Sequence, residues 1–155
     1  MTDLKGVPDE TFHLVHTGGG VGCWISDLHK YYAEAARILK REGLFIVNEF
    51  HPFGVLFSNE EPWPLQDYSN RGPFTYTSNE GFQGTEHHWT VADRIQTLLD
   101  VGCDLVRVEE HDGTPADCEP NSSEQSLGNE QEQADGPRVP RYLLTIARKS
   151  ADRGK

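Results

Sequence analysis

The sequence predicts an α/β fold built on a parallel sheet, on three observations. A short strand-like run, Thr11 to His16, stops at Gly18-Gly19-Gly20. Apolar residues then recur at three- and four-residue steps through Leu28, Tyr31, Tyr32, Ala35, Ile38 and Leu39, the period of an amphipathic helix. Leu44-Phe45-Ile46-Val47 follows as a continuous apolar run of the kind found in strands buried on both faces. Strand, helix and strand with short connections form a right-handed βαβ unit, whose strands are parallel.

The remaining elements follow in order. Ser26 or Asp27 supplies the first helix's N-cap, Lys40 and Arg41 suit its C-terminal dipole, and Gly43 its left-handed C′ position. The stretch 51–86 carries Pro52, Pro62, Pro64 and Pro73 among aromatics such as Phe53, Trp63, Tyr68 and Tyr76. Prolines exclude regular structure while aromatics seek packing, so an ordered, lid-like loop is expected, with a short hairpin near Phe74 to Thr77. A second helix runs from about Thr90 to Val101, with Val91, Ile95, Leu98 and Leu99 on one face and Gly102 ending it. Strands are expected at Asp104 to Glu110 and at Arg141 to Arg148. No repeat is found, and one domain spans 1–155.

Between Glu109 and Asp135 lie nine acids and no Lys or Arg. Removing them from the chain's 25 acids leaves 16 against 14 bases, so the formal charge of −11 belongs to one segment. That segment, 112–140, is rich in Gly, Pro, Ser, Gln and Glu and reads as a solvated, flexible loop. The basic footprint of a nucleic-acid binder is missing. No apolar run reaches the ~18 residues of a membrane helix, and Met1 to Glu10 lacks a signal-like apolar stretch. Cys23, Cys103 and Cys118 form no CxxC pair, so neither a disulfide framework nor a zinc module is expected. The expectation is a cytoplasmic protein with reduced thiols.

Thr17-Gly-Gly-Gly-Val-Gly22 between strand and helix suggests backbone approach to a nucleotide. The phasing is wrong for a dinucleotide fingerprint, and the next acid at a strand end, Glu49, comes about ten residues later than the ~20-residue spacing such a fingerprint needs. A dinucleotide-binding unit on Gly18–Gly22 is therefore the weakest of three readings.

The chain as a whole resembles class I S-adenosylmethionine-dependent methyltransferases. The resemblance rests on Phe12-His13-Leu14-Val15, where that family's fourth strand carries an "FDLV" run. It rests also on Arg37-Ile-Leu-Lys-Arg-Glu-Gly43, where a helix ends in "R-x-L-K-x-G-G" before the fifth strand. His13 replaces the usual acid, and Glu42 the first glycine. The resemblance implies the C-terminal half of the fold alone: a partial Rossmann-like sheet, strand order 4-5-7-6, with the last strand antiparallel and two main helices. It implies that the cofactor-binding half, with its glycine-rich first loop, is absent, so that the chain alone is inactive. The exposed edge strand 11–17 would then pair with a second copy or with a partner half-domain. A non-catalytic interaction module built this way is the rival reading.

The family's cofactor, S-adenosylmethionine, would approach Thr17, Gly18, Gly19, Gly20 and Trp24, at the carboxyl end of a parallel strand. Trp24 is also a natural core residue. A small-molecule acceptor would lie under the 51–86 loop. His51 and Glu49, ending the next strand, are the candidate catalytic residues, His51 as a general base. Adjacent His87 and His88 point apart on a helix start, and His13 and His16 face opposite sides of a strand, so no metal is expected. Cys23 has no base fixed beside it in sequence, and no Gly-x-Ser-x-Gly elbow exists for a hydrolase.

Overall fold

The structure is a computed structural model that describes residues 3–56, 67–78, 80–111 and 139–151. The chain forms β1 (Phe12–Gly18), a 3-10 turn (Val21–Trp24), α1 (Leu28–Ile38) and β2 (Leu39–Phe50). A hairpin of β3 (Phe74–Thr77) and β4 (Gln83–Glu86) follows, then α2 (Val91–Asp100), β5 (Cys103–His111) and β6 (Tyr142–Lys149). The main sheet has the order β1-β2-β6-β5, with β1 parallel to β2 and β6 antiparallel to both neighbours. Most of the acidic loop, and residues 57–66 of the aromatic loop, lie outside the described residues.

Each helix starts where its capping chemistry sits. Asp27 accepts a hydrogen bond from the Lys30 N–H at 2.9 Å. Thr90 and Asp93 form a reciprocal capping box, and Gly102 adopts φ 87° past the end of α2. Both helices pack on one face of the sheet. There Leu28, Tyr32, Ala36 and Leu98 meet Phe45, Val47, Cys103 and Ala147 in the core.

Three expectations need correction. The first helix does not run to Gly43; it ends at Ile38, and β2 begins at Leu39. Glu42, not Gly43, takes the left-handed conformation, at φ 60°. Gly43 is required for space: a Cβ there would lie 2.8 Å from the Lys40 carbonyl oxygen and 2.9 Å from that of His13. This is where β1 shifts register against β2.

The second correction concerns Leu44–Val47, which is not buried on both sides. Burial alternates, with Phe45, Val47 and Glu49 on the helix face and Leu44, Ile46 and Asn48 half-buried opposite. Register places Leu14 beside Leu44, Ile46 beside Ile146, and Asn48 beside Leu144. That stripe forms a second apolar face, on which no helix of the described residues packs. Leu14 is 52% exposed. The third correction is Trp24, which is 51% exposed and not core.

Substitutions at the β2 entry test this geometry. Gly43→Ala should lower stability by about 1–3 kcal/mol through overpacking against backbone. Glu42→Gly should raise it by about 0.5–1 kcal/mol by relieving a left-handed conformation. Urea unfolding measures both; equal effects of the two changes would contradict the assignment.

Candidate functional site

Parallel β1 and β2 end side by side, and their carboxyl ends form a rim of the kind at which open α/β sheets place ligands. The chain leaving β1 crosses over β2 closely. The Gly19 N–H donates to the Asn48 carbonyl at 3.0 Å, and a Cβ on Gly18 would strike that same oxygen. Gly19 and Gly20 then take φ 72° and 87°, conformations that favour glycine, and a Cβ on Gly20 would lie 2.8 Å from the Phe50 ring. The three glycines thus answer to steric demands of this crossover.

Glu49 fixes the loop. Its carboxylate is 2% exposed, and its two oxygens accept the N–H groups of Gly20 and Gly22, each at 3.0 Å. Burial raises its pKa, while the Arg94 guanidinium and the two amides oppose that rise. Thr17, paired with Val47 of β2, is also buried, its hydroxyl 2.6 Å from the Tyr31 hydroxyl.

The 3-10 turn is tied to the segments around it. The His87 N–H donates to the Cys23 carbonyl at 2.7 Å, and Trp89 Nε1 donates to the Ile25 carbonyl at 3.0 Å. Trp24 packs against Tyr76 of the hairpin, ring centres 5.9 Å apart. Trp24, Tyr76 and Phe82 are all exposed, so aromatic surface lies at the turn and on the hairpin. Tyr68 and Arg71, from the loop before the hairpin, fasten it to α2. The Tyr68 hydroxyl accepts the Val91 N–H at 3.0 Å, and Arg71 grips Asp93 through two 2.8 Å contacts.

His51 is brought close in sequence to Glu49 but into different surroundings. It is 4% exposed. Its Nδ1 accepts the Phe53 N–H at 3.1 Å, and its Nε2 lies 2.9 Å from Glu110 Oε1 on β5. With Nδ1 accepting, the neutral ring carries its proton on Nε2 and donates it to Glu110. The general-base role expected of His51 finds no free nitrogen in this arrangement; the ring instead pins the chain after β2 to β5. Glu49 likewise has both oxygens engaged by backbone amides.

Cys23 is half-buried, its Sγ donating to the Gly20 carbonyl at 2.9 Å. Burial, then the Glu86 and Glu49 carboxylates, push its thiol pKa up, which disfavours the thiolate a nucleophile needs. His88 packs against Phe74, ring centres 4.4 Å apart and tilted by 35°, and burial lowers its pKa. Among the described residues no three side chains form a metal-binding group. No helix among them is long and apolar enough to cross a membrane.

The sequence reading missed Arg94. It sits between Val91 and Leu98 on the inward stripe of α2 and is 6% exposed. Its Nη1 is buried without a hydrogen-bond partner. The signal was present, since a charged residue on an apolar stripe at helical spacing has to meet something polar inside.

No protein-family model and no curated protein matches the chain. Solved structures do. One is a protein of Listeria monocytogenes assigned to the S-adenosylmethionine-dependent methyltransferases, with TM-score 0.71 at 23% identity, matching 96% of this chain and 66% of its own. An S-adenosylmethionine-dependent methyltransferase of Mesorhizobium loti gives 0.65 at 20%, over 92% of this chain and 63% of its own. The Burkholderia thailandensis 1,6-didemethyltoxoflavin-N1-methyltransferase, solved with 1,6-didemethyltoxoflavin and S-adenosylhomocysteine, gives 0.51 at 15%, over 96% and 48%. The fold is therefore shared with S-adenosylmethionine-dependent methyltransferases. The chain spans just under two thirds of the first two, 66% and 63% of their lengths.

The raised Glu49 pKa makes a signed prediction. The folded chain holds this proton to higher pH than the unfolded chain. Stability contributed by the group is thus full below the ordinary carboxylate value, falls as pH rises through the raised value, and is flat above it. Urea midpoints measured across that window should decline in wild type relative to Glu49→Gln. A wild-type curve parallel to the variant's would contradict the assignment.

Proposed function

We propose that this chain contributes the acceptor side of an S-adenosylmethionine-dependent methyltransferase that acts on a small molecule, and that the cofactor-binding half is supplied by residues outside it. The observation that carries this reading is the rim at the carboxyl ends of β1 and β2, on a sheet shared with methyltransferases and apolar on its uncovered face. Its strand order, β1-β2-β6-β5, supports equating these strands with the fourth, fifth, seventh and sixth of the complete fold.

The residues present fit one side of the cofactor. Gly18, Gly19 and Gly20 carry no side chain to hold a ligand away from the backbone, and Trp24 offers an aromatic flank at 51% exposure. The carboxylate of Glu49 is already engaged by Gly20 and Gly22, so the rim supplies no free acid from Glu49 for ribose hydroxyls. S-adenosylmethionine, when bound, supplies an electrophilic methyl group on sulfonium. This chain's share of the work is positioning: Thr17 to Gly20 set the approach, and Trp24 with Tyr76 forms an apolar ledge for an acceptor. Glu49 and His51 act as positioning residues, the first by shaping the glycine loop, the second by pinning the chain after β2.

The second reading is a non-catalytic pairing module, favoured by the outer edge of β1, which no strand among the described residues pairs with, and by the apolar stripe of Leu14, Leu44, Ile46, Leu144 and Ile146. Either reading makes β1 an interface, with a second copy or with a partner half. Beside that edge, on the helix side, lies a cavity of about 210 Å³ lined by Val15, Thr17, Tyr31, Ala35 and Phe45.

Calorimetry with S-adenosylhomocysteine, run beside light scattering, tests the incompleteness and the interface. The chain alone should self-associate, lose self-association in Leu14→Glu, and show no saturable heat near 1 mM ligand. Micromolar binding by the chain alone, about −8 kcal/mol, would keep the methyltransferase reading and overturn its incompleteness. A monodisperse monomer with a well-dispersed amide spectrum would sink the interface.

A further inference from the structure

The glycine loop is shaped by a carboxylate, and that carboxylate has a buried cation for company. A point one Cβ bond out from Gly22 lies 3.4 Å from Glu49 Cδ, 3.4 Å from Arg94 Nη1 and 3.5 Å from Arg94 Nη2. The two charged groups therefore flank Gly22 from β2 and α2. Arg94 Nε reaches the Trp89 carbonyl at 3.4 Å, while Nη1 makes no hydrogen bond. A guanidinium 6% exposed with an open donor is costly to hold in place, which calls for an explanation beyond filling space.

We propose that Arg94 is the positioning residue of the rim: its charge keeps Glu49 ionised inside the fold, so that both carboxylate oxygens remain acceptors for the Gly20 and Gly22 N–H groups. A protonated carboxyl presents one good acceptor and one hydroxyl, and cannot serve both amides equally. The loop's shape is thus coupled to a charge on α2, although no residue of α2 touches the loop's hydrogen bonds.

The other groups facing Glu49 come from each surrounding element. His16 on β1 lowers its pKa, and Cys23 in the turn and Tyr32 on α1 sense its charge. Leu143, its neighbour on β6, is apolar. Arg94 is the largest of the influences that oppose Glu49's burial.

The test follows the Gly20 and Gly22 amide resonances of the full chain by ¹⁵N–¹H NMR as pH is varied. In wild type both should move together with one midpoint, absent in Glu49→Gln. Arg94→Met, which keeps bulk and removes charge, should raise that midpoint by about 1–3 pH units. Arg94→Lys should restore most of the shift. Separate midpoints for the two glycines, or an unmoved midpoint in a folded Arg94→Met, overturn the proposal. Should Arg94→Met fail to fold, the Glu49 carboxyl ¹³C titration in Arg94→Lys and Arg94→Gln decides between charge and bulk: equal midpoints in the two variants overturn it. The inference rests on the methyltransferase reading only for its consequence. The titration uses no ligand, so its failure and the failure of S-adenosylhomocysteine binding are separate results.

Discussion

The rim depends on one buried carboxylate. Glu49 lies on the helix face of β2, a position where Phe45 and Val47 before it are ordinary core residues. An acid there is costly unless its oxygens are met, and Gly20 and Gly22 meet them. From this contact the local chain path follows. The loop must turn back over β2, which needs left-handed backbone at Gly19 and Gly20 and no Cβ at Gly18. The 3-10 turn then presents Trp24 outward and offers the Cys23 carbonyl to the chain after the hairpin. Arg94 needs α2 held in register, which the Thr90–Asp93 box and the Arg71 grip on Asp93 provide.

The sheet is asymmetric. On one side α1 and α2 cover Phe45, Val47, Leu143 and Ala147; on the other, Leu14, Leu44, Ile46, Leu144 and Ile146 form a stripe without a helix among the described residues. In the Listeria monocytogenes and Mesorhizobium loti structures the match covers 66% and 63% of the chain, which leaves about a third of each outside it. The proposal of a partner at β1 rests on this stripe and on that length difference. Apolar area of this kind stabilises a fold only when something buries it.

Much of this architecture was legible in the sequence. Helical periodicity located α1 and α2, and Asp27, Thr90 and Gly102 marked ends by local chemistry alone. The glycines after β1 were legible as a loop at the carboxyl end of a parallel strand. What escaped depends on contacts distant in sequence. Gly43 looked like a helix cap because glycine serves both left-handed turns and tight crossings, and only the approach of His13 decides between them. Trp24 looked like core because its partner, Tyr76, lies 52 positions away on a hairpin. His51 looked free to take a proton because Glu110 was not visibly its neighbour. Arg94 was the one miss with a local signal, a charge on the inward stripe of an apolar helix face.

Amide hydrogen exchange at Gly20 and Gly22, compared between wild type and Glu49→Gln, tests the account most directly. Two N–H groups held by one carboxylate should be protected together in the wild-type chain; in the variant, whose amide keeps one acceptor oxygen and turns a donor toward the other site, at least one of them should lose that protection. The N–H of Gly19, held by the Asn48 carbonyl, should change much less. Unaltered exchange at Gly20 and Gly22 in Glu49→Gln would mean that the loop is shaped by its own backbone, and that the buried carboxylate does not organise the rim.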